Sequence, residues 1–84
     1  MDEHRRRQNE KKFGRWILLS DGGRRYQYDV IGRYGWQARY IKIVDRDEKT
    51  LQFLQEIYNE RGELEEIHEK FPLDTGHKKV RGGE

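Results

Sequence analysis

The chain has 84 residues, of which 32% are hydrophobic and 40% are charged, so it has room for one domain with a thin core. It contains no cysteine, which excludes disulfides and thiolate metal sites, and no apolar run long enough for a signal peptide or a membrane span. These features predict a cytoplasmic protein without membrane association, and since no cofactor motif or metal-ligand spacing is present, no cofactor and no metal are expected.

The charges are unevenly distributed, although the net charge is only +2. Residues 1–25 hold eight Lys and Arg against four Asp and Glu, whereas residues 47–74 hold three against nine. We expect the basic first half and the basic residues 75–84 to share one face that attracts phosphates, with the acidic segment opposite. The alternative is that the charges only keep a small domain soluble.

Residues 1–12 form a basic arm without an apolar face. Two acidic residues precede Arg5, Arg6 and Arg7, which suits a helix dipole, but nothing marks a side for burial. The arm is therefore predicted to be a short or frayed helix or a disordered segment. Its arginines either grip a nucleic-acid backbone or are simply solvated.

The first half of the chain alternates between strand-like runs and turns. Phe13–Ser20 is apolar, and Asp21-Gly22-Gly23 after it is typical of a hairpin turn. In residues 24–30, Tyr26 and Tyr28 fall on one face and the polar residues on the other, which predicts a half-buried strand.

A second turn at Gly32–Gly35 precedes another strand-like run. Residues 36–44 are rich in aromatic and β-branched side chains, as strands are. Their apolar residues change sides near Tyr40, which indicates a bulge or a strand covered on both faces.

Leu51–Phe71 fits two structures. A hairpin is favoured, because Gly62 is suited to positive φ in a turn at Asn59–Gly62 and costs about 1 kcal/mol inside a helix. The alternative is an amphipathic helix over residues 50–61. Pro72 ends whichever element precedes it.

The predicted fold is mainly β (α+β), a single antiparallel meander of four to five strands after a short or frayed N-terminal helix. Residues 1–12 are the basic arm, residues 13–74 the β-rich domain and residues 75–84 a basic tail.

Three stretches resemble a family of short prokaryotic proteins of unknown function. They are Ala38–Lys42, Phe53–Tyr58 and Gly62–His77, and together they span residues 38–77, about half of the chain. The resemblance implies a stand-alone β-rich domain with a hairpin at Gly62, and nothing about catalysis. The predicted helix followed by a meander is also similar in architecture to the RelE, barnase and colicin type of small ribonuclease, although architecture does not establish function.

Titrating side chains are concentrated near the C-terminus. Metal-independent RNA cleavage needs a general base, a general acid and a cation. On a strand, His68 and Lys70 project to one face, His77 returns beside them after a turn, and Arg39 adds charge stabilisation, so these four are the candidate catalytic residues. The alternative is that both histidines are ordinary surface residues, and a zinc site that includes Asp74 lacks a recognised spacing.

Aromatic residues interleaved with cations are typical of proteins that bind single-stranded nucleic acid. The candidate binding residues are Arg5, Arg6, Arg7, Arg24, Arg25, Arg33, Tyr34, Tyr40, Lys78 and Lys79.

We therefore expect a small protein that binds or acts on RNA or another single-stranded nucleic acid. The more specific form of this expectation is a ribonuclease of toxin type. The alternative is a non-enzymatic module, such as an antitoxin or inhibitor, that docks a protein partner through a sheet edge or the acidic segment. The sequence does not indicate an oligomeric state.

Overall fold

The computed structural model describes residues 2–80, which form one α-helix, six β-strands and a short 3-10 turn. The strands pair in chain order, each antiparallel to the next, in an open sheet. The elements are α1 (Glu3–Phe13), β1 (Arg15–Leu18), β2 (Arg24–Ile31), the 3-10 turn (Arg33–Gly35), β3 (Gln37–Val44), β4 (Thr50–Tyr58), β5 (Leu64–Phe71) and β6 (Gly76–Lys79). Within residues 2–80, no helix has both the length and the apolar character needed to cross a membrane.

The predicted mainly β architecture with an N-terminal helix is confirmed, but the sheet has six strands where the sequence predicts four to five. The sixth strand, Gly76–Lys79, lies in the segment predicted to be a basic tail. The alternative helix over residues 50–61 is wrong, because β4 occupies Thr50–Tyr58 and a turn follows it. The last residues of the predicted tail, 81–84, lie outside the described part of the chain.

Two hairpin turns that the sequence predicts from glycine positions are present. In the β1–β2 turn, the Asp21 carboxylate accepts a hydrogen bond from the Gly23 N–H at 2.8 Å, and Gly22 has φ 90°. In the β4–β5 turn, Gly62 has φ 78° and donates its N–H to the Asn59 carbonyl. Glycine adopts positive φ without a steric penalty, which is why these local signals are reliable.

Asn59 closes the β4–β5 turn from a buried position. Its side-chain oxygen accepts hydrogen bonds from the N–H groups of Arg61 and Glu63, and its amide nitrogen donates to the carboxylates of Glu63 and Glu65.

Asn59→Ala is expected to lower the free energy of unfolding by about 1–3 kcal/mol, because these N–H groups and carboxylates would lose a hydrogen-bond partner. Urea denaturation measures this change. Arg61→Ala, an exposed site in the same turn, should change it by less than about 0.5 kcal/mol, and equal effects would contradict the role of Asn59.

Side chains alternate between a face that carries α1, here called the helix face, and the opposite face, here called the open face. The predicted alternation in β2 is confirmed, with Tyr26 and Tyr28 on the helix face. Directly paired residues share a face. Across the sheet, the register therefore places Tyr28, Tyr40, Gln55, His68 and His77 on the helix face, and Asp29, Arg39, Glu56, Ile67 and Lys78 on the open face.

The helix docks through Phe13 and Asn9, its two buried residues. The Phe13 ring lies 5.6 Å from the Tyr26 ring and 5.3 Å from the Tyr28 ring, and Val44 completes the buried cluster. Phe13 is the only apolar residue of the helix, so a single aromatic side chain provides most of its apolar anchoring.

Both ends of the helix are capped. The Asp2 carboxylate accepts a hydrogen bond from the Arg5 N–H, and Gly14 takes the left-handed conformation with φ 75° after the last turn. These caps satisfy backbone groups that a helix leaves unpaired, so residues 3–13 form a defined helix and not a disordered arm.

The apolar residues of β3 do not change sides through a bulge at Tyr40. The β3–β4 register shifts later, between Ile43 and Val44. Ile41 lies on the open face and is only 5% exposed. The sequence offered a bulge or coverage of both faces as the reason why the apolar residues change sides. Coverage of both faces is the better description of the centre of this strand.

β5 carries an extra residue opposite β4. Phe53 pairs with Phe71 and the next residue, Leu54, pairs with Glu69, which leaves Lys70 without a direct partner. A bulge of this kind re-aims a side chain. Here the bulge turns Phe71 to the face of Phe53, whereas Lys70 lies on the helix face as expected two residues after His68, with its Nζ 5.3 Å from the centroid of the Tyr40 ring.

Candidate nucleic-acid interface

A cleft separates α1 from one end of β3, β4 and β5 on the helix face. It consists of two adjoining cavities of about 400 and 250 Å³ that share Lys42, Thr50 and Phe71 in their walls. The side chains that give the cleft its chemistry are Arg5, Lys12, Lys42, Lys49, Phe53 and Phe71.

Four cations of residues 2–80 line the cleft, and Lys42 is the one most enclosed by protein. Its Nζ donates a hydrogen bond to Asn9 Oδ1 at 3.0 Å. Burial lowers the pKa of Lys42, and the charges of Lys12 and Arg5 lower it further, against an opposing contribution from Glu48. Neither Lys12 nor Lys42 takes part in an ion pair within residues 2–80. A bound anion would relieve the repulsion among these cations.

The cleft also has an aromatic wall. Phe71 leaves 44% of its surface exposed and lies directly opposite Phe53 in the sheet. The Phe53 ring is fixed edge-on against Phe13 at 6.3 Å. An exposed ring beside cations is the combination that holds a stacked base and its phosphate.

Glu48 lies at the base of the cleft, but its charge is compensated within the protein. It is 1% exposed, and its carboxylate accepts hydrogen bonds from Arg6 and Asn9, both at 3.1 Å, and from the Tyr26 hydroxyl. Burial opposes ionisation of Glu48, but these three donors prevail and lower its pKa. Burial and the bond to Glu48 raise the pKa of Tyr26 to about 12. The cleft therefore remains positive despite a carboxylate beneath it.

His68 and His77 lie side by side on the helix face, directly opposed in β5 and β6. Their ring centroids are 4.6 Å apart. Along β5, Lys70 lies between His68 and Phe71, which lines the cleft. Its Nζ approaches the rings of Tyr40 and Phe53, and Phe53 also lines the cleft. Three of the four predicted catalytic residues thus share one face.

The two histidines differ in access to solvent. His68 Nε2 is 2.6 Å from Asp74 Oδ1, and His68 Nδ1 is buried without a partner within residues 2–80. Hydrogen bonds from the Gly76 N–H and from His68 lower the pKa of Asp74. His77 is more exposed, and its Nδ1 is 3.1 Å from Glu66 Oε1. If Nδ1–H donates to Glu66, Nε2 is the basic nitrogen of His77, so His77 is better placed than His68 to exchange a proton with a ligand.

The expectation that Arg39 joins the histidines is not met. Arg39 lies on the open face, where its Nε donates to Asp29 at 3.0 Å and its guanidinium lies 5.2 Å from the Tyr58 ring. A one-residue change of position along a strand moves a side chain to the opposite face, and Arg39 is next to Tyr40, which faces the helix. Within residues 2–80, no group of three or more His, Asp or Glu is arranged to hold a metal ion.

The predicted nucleic-acid-binding residues are divided among several surfaces. Arg5 lines the cleft, and Tyr40 stacks on Tyr28 at 4.8 Å on the helix face. Arg6 and Arg24 are held in ion pairs with Glu48 and Glu10. The others are placed as follows: Arg7 is exposed on the helix, Arg25 and Lys78 lie on the open face, Arg33 and Tyr34 lie in the 3-10 turn, and Lys79 pairs with Glu66 on the helix face.

Sequence reasoning missed most of the cleft. Lys12, Lys42, Lys49 and Phe71 come from four separate parts of the chain and have no common motif. The alternation of β3 offered one signal, because it places Lys42 on the same face as Tyr40. A lysine on the buried side of a strand calls for an anion or a polar partner.

Comparison of the chain with models of protein families, with curated proteins and with solved structures finds no match.

Proposed function

We propose that the protein binds single-stranded RNA in the cleft between α1 and the sheet. The observation that carries the proposal is the meeting of Lys12 and Lys42, which lack ion-pair partners within residues 2–80, with the exposed ring of Phe71. Phosphate recognition by cations and base stacking on an aromatic ring together supply affinity without a sequence-specific contact.

In the proposed complex, a phosphate occupies the end of the cleft near Lys12 and Lys42, and the adjacent base rests against Phe71. The strand continues along the helix face past Lys70 towards His68 and His77, which lie on the same side of the sheet. The open face, where Arg39 is already paired with Asp29, takes no part.

The test is a salt titration of binding to a fluorescent oligouridylate of about twelve nucleotides. The double substitution Lys12→Gln and Lys42→Gln removes two phosphate contacts, so we expect the slope of log affinity against log salt to fall by about 1.4. Gln at position 42 keeps a polar group for Asn9, which limits structural damage. Fluorescence anisotropy measures both affinity and slope.

The matched control removes the same number of charges elsewhere. Lys11→Gln with Lys78→Gln changes one exposed lysine of the helix and one on the open face. The slope of the control should stay near that of the wild type. Equal loss of slope in both variants would indicate a diffuse charge effect, and no binding at about 50 mM salt would overturn the proposal.

RNA cleavage is a second candidate function, favoured by the half-exposed Glu66–His77 pair beside the proposed path of the strand. In such a reaction His77 Nε2 takes the proton of a 2′-hydroxyl, whose oxygen then bonds to the adjacent phosphorus. The bond from phosphorus to the 5′-oxygen breaks, that oxygen takes a proton from solvent, and a 2′,3′-cyclic phosphate remains. Lys70 would stabilise the charge on the phosphorane.

A further inference from the structure

The outer edge of β1 pairs with no strand within residues 2–80. β1 pairs there only with β2, and all four of its residues are exposed, including Trp16 at 39%, Ile17 at 56% and Leu18 at 73%. The other edge strand, β6, carries His77, Lys78 and Lys79. Charged side chains protect a sheet edge against pairing, and the apolar residues of β1 do not.

The backbone of β1 has free hydrogen-bonding groups at defined positions. The Leu19 N–H donates to the Gly23 carbonyl, and pairing alternates along an antiparallel ladder. Ile17 and Arg15 therefore turn their backbone groups towards β2, whereas the N–H and C=O of Trp16 and Leu18 point outward. An added strand would pair with these two residues.

The side chains beside this edge differ between the two faces. Trp16 and Leu18 form an apolar surface on the helix face, while Arg15, Ile17, Arg25 and Gln27 lie together on the open face. A cavity of about 390 Å³ adjoins them, lined by both arginines and by Gln27. Within residues 2–80, Arg15 and Arg25 form no ion pair, and Arg25 donates only to Gln27 Oε1 at 2.7 Å.

The charges of Arg15 and Arg25 indicate whether the strand that pairs with β1 would come from a second copy of the chain or from a different protein. Pairing of β1 with β1 of a second copy would bring Arg15 and Arg25 of both copies onto one face, and within residues 2–80 neither arginine has an ion-pair partner that would offset its charge. Like charges placed together in this way oppose association. A strand with carboxylates on one side and apolar side chains on the other fits both faces.

We propose that β1 is a docking edge for an extended, acidic segment of a partner protein, which adds a seventh strand to the sheet. Backbone hydrogen bonds to Trp16 and Leu18 supply affinity, and carboxylates facing Arg15 and Arg25 supply specificity. This site is separate from the cleft proposed to bind RNA, and either proposal stands without the other.

The probe is a fluorescein-labelled peptide of about eight residues in which glutamate and valine alternate. We expect it to bind the full chain, and a peptide with lysine in place of glutamate to bind at least about ten-fold more weakly. Arg15→Glu combined with Arg25→Glu should reverse the preference between the two peptides. Fluorescence anisotropy at low salt measures all affinities.

Leu18→Pro tests the backbone contribution, because it removes an outward N–H and leaves the β1–β2 hydrogen bonds in place. We expect it to weaken peptide binding by about ten-fold, with RNA binding unchanged. Lys79→Pro is the matched control, since the bond from the Val80 N–H to Glu65 implies that the Lys79 N–H also points outward on the opposite edge. Circular dichroism checks the fold, and the arginine variant decides the question if Leu18→Pro unfolds.

Three results would overturn the proposal. They are absence of peptide binding to the wild type, equal binding of the glutamate and lysine peptides, and a larger effect of Lys79→Pro than of Leu18→Pro. A dimer of the wild type that Leu18→Pro dissociates, seen by sedimentation, would assign the edge to a second copy instead.

Discussion

Glu48→Ala is expected to lower the free energy of unfolding by about 3–5 kcal/mol, the range for breaking a buried charged network by removing one partner. The Tyr26 hydroxyl, the Asn9 amide and the Arg6 guanidinium would lose their acceptor. Residues 2–80 contain few buried apolar residues to compensate, namely Phe13, Tyr26, Ile41 and Val44. Urea denaturation followed by tryptophan fluorescence measures the change.

Lys49→Ala is the matched control, because it truncates the exposed neighbour of Glu48 in the same connection. Its expected effect is within about 0.5 kcal/mol. Glu48 has φ 68°, a conformation that usually favours glycine, so its side-chain bonds must outweigh local strain. Equal stability of Glu48→Ala and the wild type would show that the network contributes little.

The lowered pKa of Glu48 predicts how the free energy of unfolding depends on pH. Since the folded-state pKa of Glu48 is lowered, its contribution is complete above the unfolded value of about 4.3 and is lost as pH falls through the folded value. The wild type should therefore lose more stability than Glu48→Gln between about pH 5 and pH 3. Parallel loss in both proteins would assign acid sensitivity to other carboxylates.

The second large effect concerns RNA cleavage. His77→Gln is expected to lower single-turnover cleavage by at least about a hundred-fold, because glutamine cannot exchange a proton as a general base does. RNA affinity should change by less than about ten-fold, the scale of one hydrogen bond. Cleavage is followed by gel electrophoresis of an end-labelled strand.

His68→Gln is the comparison that separates the two histidines. His68 is bonded to Asp74 through Nε2 and its Nδ1 is buried, so its substitution should reduce cleavage by less than about ten-fold, a positioning effect. A larger loss from His68→Gln than from His77→Gln would restore His68 as the acid or base. Intact RNA after incubation with the wild type would remove the ribonuclease candidate and leave the binding proposal.

The hairpins could be predicted from the sequence because their signals are local. Asp21-Gly22-Gly23 and Gly62 specify turns through hydrogen bonding and positive φ at single positions. The sixth strand could not be predicted in this way. Gly76–Lys79 contains no apolar alternation, and it is a strand because β5 offers it a free edge.

The four predicted catalytic residues show the same difference between local sequence signals and positions that depend on strand pairing. Because strand periodicity is a local property, it correctly places His68 and Lys70 on one face, with the β5 bulge accommodating Lys70. Whether Arg39 joins them depends on the register of β3 against β4, which places Arg39 beside Glu56 on the open face. That register arises from pairing along the whole strand and is not encoded at any single residue.

The amino-acid sequence by itself determined the mainly β class, the two hairpin turns and the facing of β2, since each depends on propensities and periodicities within a few residues. Only the tertiary structure decided that Lys12, Lys42 and Phe71 meet in a cleft, that Glu48 is buried beneath it, and that His77 is more accessible than His68. The physical reason is that helix docking through Phe13 and strand register bring together residues far apart in the chain. No local sequence pattern indicates which of these distant residues will be in contact.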